Sequence, residues 1–191
     1  VARRAGEKNF KAASDIAVQS ILLGTFLSLI ISVIGFIFPK EILLLMGASA
    51  SVAEENYLFT QIMLTGNIVI VLLFINNAVF RGVGNASIAM KALLIANAIN
   101  IVLDPMLILG IGPFPKMGVV GAAIATTIGR SVAVVYQFYH MFNGKALIVL
   151  ARKQFVLQLS LIRSILNTSA GGMFQFIIGS CSWIFLAMII A

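Results

Sequence analysis

The sequence predicts an all-α membrane protein, a polytopic helix bundle, on three observations. Of its 191 residues, 61% are hydrophobic and 10% charged, against about half apolar and a quarter charged in a soluble domain. Five stretches reach the roughly 20 apolar residues that a spanning helix needs. The positive charges between those stretches fall almost wholly on one side of the membrane. Lipid leaves no water to satisfy a bare backbone, so apolar runs of this length read as helices. A β-barrel would need alternating segments of roughly ten residues, and these runs do not alternate.

The spans are expected at about 16–38, 57–80, 88–110, 117–142 and 168–191. The first carries Gly24, Ser28 and Ser32 at four-residue spacing, and the fourth carries Gly121, Ala125 and Gly129. Small residues on one face let helix backbones approach closely. Between the fourth and fifth spans, residues 145–163 mix basic and apolar residues. They fit either an extended piece followed by an amphipathic surface helix or a plain membrane-surface loop. Because the chain opens on Val1 and stops at Ala191 inside an apolar run, a piece of a longer protein is expected.

Orientation follows from Lys and Arg. One side receives Arg3, Arg4, Lys8, Lys11, Arg81, Lys91, Lys145, Arg152, Lys153 and Arg163, and the other only Lys40 and Lys116. The basic side is therefore expected in the cytoplasm, which makes this a multi-pass protein of the cytoplasmic, inner membrane. The net charge of +7 is loop charge without an aromatic-laced basic face, so no nucleic-acid partner is expected. A single cysteine, Cys181, builds neither an internal disulfide nor a zinc site. Arg-Gly-x-Gly at 81–84 lacks the third glycine of a dinucleotide fingerprint and follows no strand. No triad, P-loop or metalloprotease pattern occurs, so an enzyme is not expected, nor a cofactor.

The stretch NAINIVLDPMLILG, residues 97–110, holds the chemistry. Asp104 is the only acid well inside a predicted span. Intramembrane acids are costly and usually face a bundle interior or an aqueous path. Asn97, Asn100 and Asp104 are spaced i, i+3 and i+7, which places them on one helical face. Pro105 removes a hydrogen bond to the carbonyl of Ile101. Carbonyl, amide and carboxylate oxygens on adjoining turns suit a hard cation such as sodium. Alternatively, burial lets Asp104 carry a proton; or the face is packing glue. Thr126, Asn76, Asn77 and Gln137 are further polar residues within spans, and Arg130 sits inside the fourth as a counter-ion, a substrate contact or a snorkelling cation.

In order and at this spacing, Arg81-Gly82-x-Gly84, the run from Asn100 to Pro105, and Gly121 to Thr126 resemble the multidrug and toxic compound extrusion (MATE) family of cation-coupled antiporters. The resemblance implies a twelve-helix, two-lobe transporter. It assigns 1–142 to four helices of the N-terminal lobe, 143–165 to a cytoplasmic lobe linker and 166–191 to the start of the C-terminal lobe. It implies a monomer that exports amphipathic, often cationic, organic compounds against entry of protons or sodium ions. Asn100 and Asp104 match the family's cation pair, and Asn77 and Thr126 its more loosely matched helpers. Asn97 and Arg130 then belong to the substrate cavity. Two positions depart from the pattern: Asn85 stands where an Asp is frequent, and Arg130 where many relatives are uncharged. A lipid-linked precursor flippase of the same superfamily, with several basic cavity residues, is the alternative within transport. A non-transporting membrane scaffold is the alternative outside it.

Overall fold

The computed structural model describes residues 1–143, 147–148, 150 and 154–190, without the side chains of 176, 180 and 183–190. Eight helices follow in order: α1 (Ala2–Gly6), α2 (Phe10–Ile37), α3 (Pro39–Leu45), α4 (Ala50–Thr65), α5 (Asn67–Gly82), α6 (Ala86–Leu109), α7 (Val119–Phe142) and α8 (Leu159–Ile190). The chain forms two compact units, Val1–Phe155 and Val156–Ala191. In the first unit α2, α4–α5, α6 and α7 are each long and apolar enough to cross a membrane.

Two spans differ from expectation for local reasons. The first helix starts at Phe10 rather than near 16, because Asn9 Oδ1 accepts from the Ala12 amide at 3.1 Å. That bond satisfies one of the donors a helix start leaves bare and carries the helix through polar residues. The second span extends back to Ala50, where Ser49 caps α4 through the Val52 amide. It breaks at Gly66 into α4 and α5. Ser32 Oγ donates to the Leu64 and Thr65 carbonyls at 3.3 and 3.0 Å, next to that break.

The packing inverts that of a soluble bundle. The buried face of α2 is Ala13, Ser14, Ala17, Val18, Gln19, Ile21, Gly24, Ser28, Ser32 and Gly35, while Phe26, Leu29, Ile30, Val33, Phe36 and Ile37 are exposed. Without a hydrophobic drive between helices in lipid, close contact is won by small residues. Gly24 touches Ile75 and Val71, and Gly35 touches Leu64, so α2 runs antiparallel to α4–α5. The seam between α6 and α7 is tighter still. A Cβ on Gly121 would lie 2.7 Å from the Leu107 carbonyl, and one on Gly129 2.7 Å from Ala96 O. Gly110, with φ +74°, ends α6 in the left-handed region, and the amides of Met117 and Gly118 return to the Leu107 and Ile108 carbonyls. This turn fixes the antiparallel register of α6 and α7.

This topology puts the starts of α2 and α6 and the end of α5, with Lys8, Lys11, Arg81 and Lys91, at one end of the first unit. We call it the basic end. Lys145, Arg152 and Lys153 lie outside the described residues. The segment between α7 and α8 divides. Ile148 and Leu150 are buried in the cluster of Ala13, Ala17, Val18, Phe80 and Met141. Leu150 N donates to Met141 O, and Gln154 Nε2 donates to Asp15 Oδ1 at 2.8 Å. Ile148, Leu150 and Gln154 thus sit against the basic end, and no separate amphipathic surface helix occurs there among the described residues. Helix α8, where the fifth span is expected, begins at Leu159, nine residues before 168.

Candidate cation and substrate site

The middle of α6 and α7 is held in register by one side chain. Asn100 Nδ2 donates to Asp104 Oδ1 at 3.3 Å, one turn along its own helix. It also donates to Thr126 Oγ1 across the seam at 3.2 Å. Gly129 makes this reach possible by bringing the two backbones together at Ala96. All three polar side chains are half-buried. The polar nitrogen of Asn100 therefore bridges two oxygens, a carboxylate and a hydroxyl. Rotation of the amide by half a turn would present Oδ1 instead, completing an oxygen triplet of the kind a hard cation takes.

Beside this triplet lies a recess of about 200 Å³. Asn97, Asn100, Thr126 and Arg130 give it polar walls, and Leu73, Phe74, Leu93 and Ala96 give it apolar ones. The residues expected at a cation site and at a substrate cavity are thus neighbours. Arg130 stands near the middle of the 24-residue helix α7, roughly 17 Å from either end at 1.5 Å per residue. Its side chain extends roughly 6–7 Å with bonds of about 1.5 Å. Snorkelling to the headgroups is out of reach in a core about 30 Å thick. Among the described residues its guanidinium makes no ion pair. The register set by Asn100 and Thr126 separates Arg130 from Asp104 by about 12 Å along the axis. At an effective dielectric of 20 that is about 1.4 kcal/mol of attraction, too little to count as neutralisation.

Asn77 does not join the triplet. It is buried, and its Oδ1 accepts from Gln137 Nε2 at 2.7 Å. Gln137 lies about 16 Å beyond Thr126 along α7, so Asn77 belongs to a second polar layer toward the basic end. Asn76 shares that level, with both amide atoms sealed and unpaired, as is Gln137 Oε1. The sequence pattern alone does not pair Asn77 with Gln137. The signal for Gln137 is Thr126, Arg130, Ala133 and Gln137 at i, i+4, i+7 and i+11, a single stripe on α7. No group of three or more His, Cys, Asp and Glu gathers among the described residues.

The MatE family profile matches residues 1–106, more than half of the chain. The chain belongs to the MATE family. MATE proteins are transporters rather than enzymes, and this chain is a polytopic, multi-pass helical membrane protein. It is 32% identical over 123 residues to the probable multidrug resistance protein YoeA of Bacillus subtilis, covering 64% of this chain and 27% of that protein. It is 33% identical over 131 residues to an FAD transporter of Shewanella oneidensis, covering 69% and 29%. A MOP-superfamily transporter from Pyrococcus furiosus, whose reversed pocket polarity suggests a different function, superposes with a TM-score of 0.76. That match has 30% identity over 86% of this chain and 36% of the other. The chain thus spans about three-tenths of the length of the curated MATE relatives it matches.

Proposed function

We propose that the whole protein is a cation-coupled antiporter that exports amphipathic drugs or toxic organic compounds across the cytoplasmic membrane, basic end inside. The carrying observation is the bridge from Asn100 to Asp104 and Thr126. A proton or sodium ion at Asp104 would displace the Asn100 amide hydrogens from the carboxylate and so change the polar bridge across the α6–α7 seam. Asn100 and Thr126 would supply the remaining oxygens, while Asn77 would act from the second layer. Because a ligand shifts a conformational equilibrium only by its differential affinity, the cation must bind one facing state more tightly than the other. Asn97 and Arg130 would contact the cargo in the adjoining recess. The relatives named for multidrug resistance and export support the reading. On this reading the protein works as a monomer with no cofactor beyond the coupling ion.

The test is Asp104→Asn in the full-length protein, with drug efflux and membrane abundance measured together. Efflux should collapse while abundance holds. If efflux survives, Asp104 is packing glue and coupling occurs elsewhere. The flippase reading has one point in its favour, the mid-membrane Arg130, but a single basic side chain lines the described recess. The scaffold reading requires unchanged activity on neutralising Asp104.

A further inference from the structure

We propose that the recess beside Arg130 takes an anionic group, a phosphate or carboxylate, on an aromatic cargo. The proposal rests on the transport reading above and departs from its expectation of mainly cationic substrates. The guanidinium lies at mid-helix, cannot reach either interface, and makes no ion pair or hydrogen bond with any described residue. An uncompensated charge at that depth is costly and marks a site where charge is met by a partner. Arginine offers a planar fork that matches carboxylate and phosphate oxygens two at a time. The rest of the wall is matched to an anion as well. Asn97 adds an amide donor on the facing helix, and Asp104 is set back behind Asn100 and Thr126. Phe74, exposed into the recess from α5, presents a ring to the apolar part of such a molecule. A cationic drug would have to place its charge against Arg130.

The experiment compares two flavins that differ by one phosphate, riboflavin and riboflavin 5′-phosphate, with ethidium as the cationic probe. Equilibrium binding to the purified full-length protein is followed by fluorescence, and export is followed in proteoliposomes under a proton or sodium gradient. Riboflavin 5′-phosphate should bind at least tenfold more tightly than riboflavin. Arg130→Gln should erase that difference, Arg130→Lys should keep part of it, and ethidium, relieved of a like charge, should bind more tightly to Arg130→Gln. Equal binding of the two flavins overturns the proposal, as does an Arg130→Gln variant that weakens all three probes alike. The latter result would make Arg130 a counter-ion to a carboxylate elsewhere in the protein. Loss of the transport reading shows separately, as export of every probe indifferent to Asp104→Asn, while the binding arm still decides the anion site.

Discussion

Gln137 of α7 donates to Asn77 of α5 at 2.7 Å, and both side chains are sealed from solvent. The pair ties two helices together by a bond that water cannot replace. Gln137→Leu alone strands the Asn77 oxygen, and an orphaned buried polar group costs about 1–3 kcal/mol. The double variant Asn77→Leu/Gln137→Leu removes both partners and should recover most of that loss. A double-mutant cycle on the unfolding of the purified full-length protein checks it. Additive losses would show that the bond contributes nothing of its own.

Asn76 gives the opposite sign. Both its amide atoms are buried and unpaired, a burden of about 1–3 kcal/mol by mutational measures. Asn76→Leu keeps the forked outline of the side chain at a larger volume, removes both unpaired polar atoms and should raise thermal stability. A fall in melting temperature would mean that the amide is satisfied in the full protein.

At the α6–α7 seam there is no room for a side chain. Gly129→Val would drive a methyl group into Ala96 O, and overpacking of this kind costs about 1–3 kcal/mol. The same change pulls Asn100 away from Thr126, so cation binding should weaken along with stability.

Thr126 separates a packing role from a ligand role. Thr126→Ser keeps Oγ, whereas Thr126→Val keeps the shape and deletes the acceptor of the Asn100 bond. Cation affinity in the full-length protein should fall about tenfold for Val, roughly 1.4 kcal/mol, and stay near wild type for Ser. Equal losses in both would assign the residue to packing.

The end opposite the basic one has its own titration. Lys40 Nζ contacts Glu54 Oε1 at 2.7 Å and lies 4.6 Å from the Tyr57 ring centroid. The Glu54 carboxylate holds the Lys40 ammonium above its usual range. A folded-state value above the unfolded one means the contribution is full below pH 10.5 and fades as pH rises through the raised value. Amide protection in α3 and the start of α4, taken relative to the intrinsic base-catalysed rate, should therefore fall above that pH, and Lys40→Met should remove that fall. Both partners are well exposed, so the effect should be small and shrink in salt.

Much of this was legible in the sequence because lipid imposes few solutions. Long apolar runs became helices, and the four-residue stripes of Gly, Ala and Ser became the contact faces. Asn100, Asp104 and Thr126 met because a helical face and a short turn at Gly110 left them little choice. The rest depended on groups acting at a distance. The early start of α2 rests on one capping side chain, Asn9, and the break at Gly66 on a glycine that apolar counting passes over. The burial of Ile148 and Leu150 depends on a gap between α2 and α7 that no single stretch reveals. Asn77 carries the same residue type as the triplet, yet its partner is set by the α5–α7 register.

The glycine seam also dictates how the first unit can move. Side chains that interdigitate can trade rotamers and slip, but a carbonyl pressed against bare Cα atoms at Gly121 and Gly129 has no alternative notch one residue away. Val120 and Ala122 flank Gly121, and Ile128 and Arg130 flank Gly129, so a shifted register would collide. Packed interfaces of this sort are bistable at best rather than continuously deformable. In the transport cycle proposed above, the backbones of α6 and α7 would therefore travel as one plank, and only the side chains of the triplet would answer the cation. Any hinge has to lie elsewhere, at joints such as the one Gly66 provides.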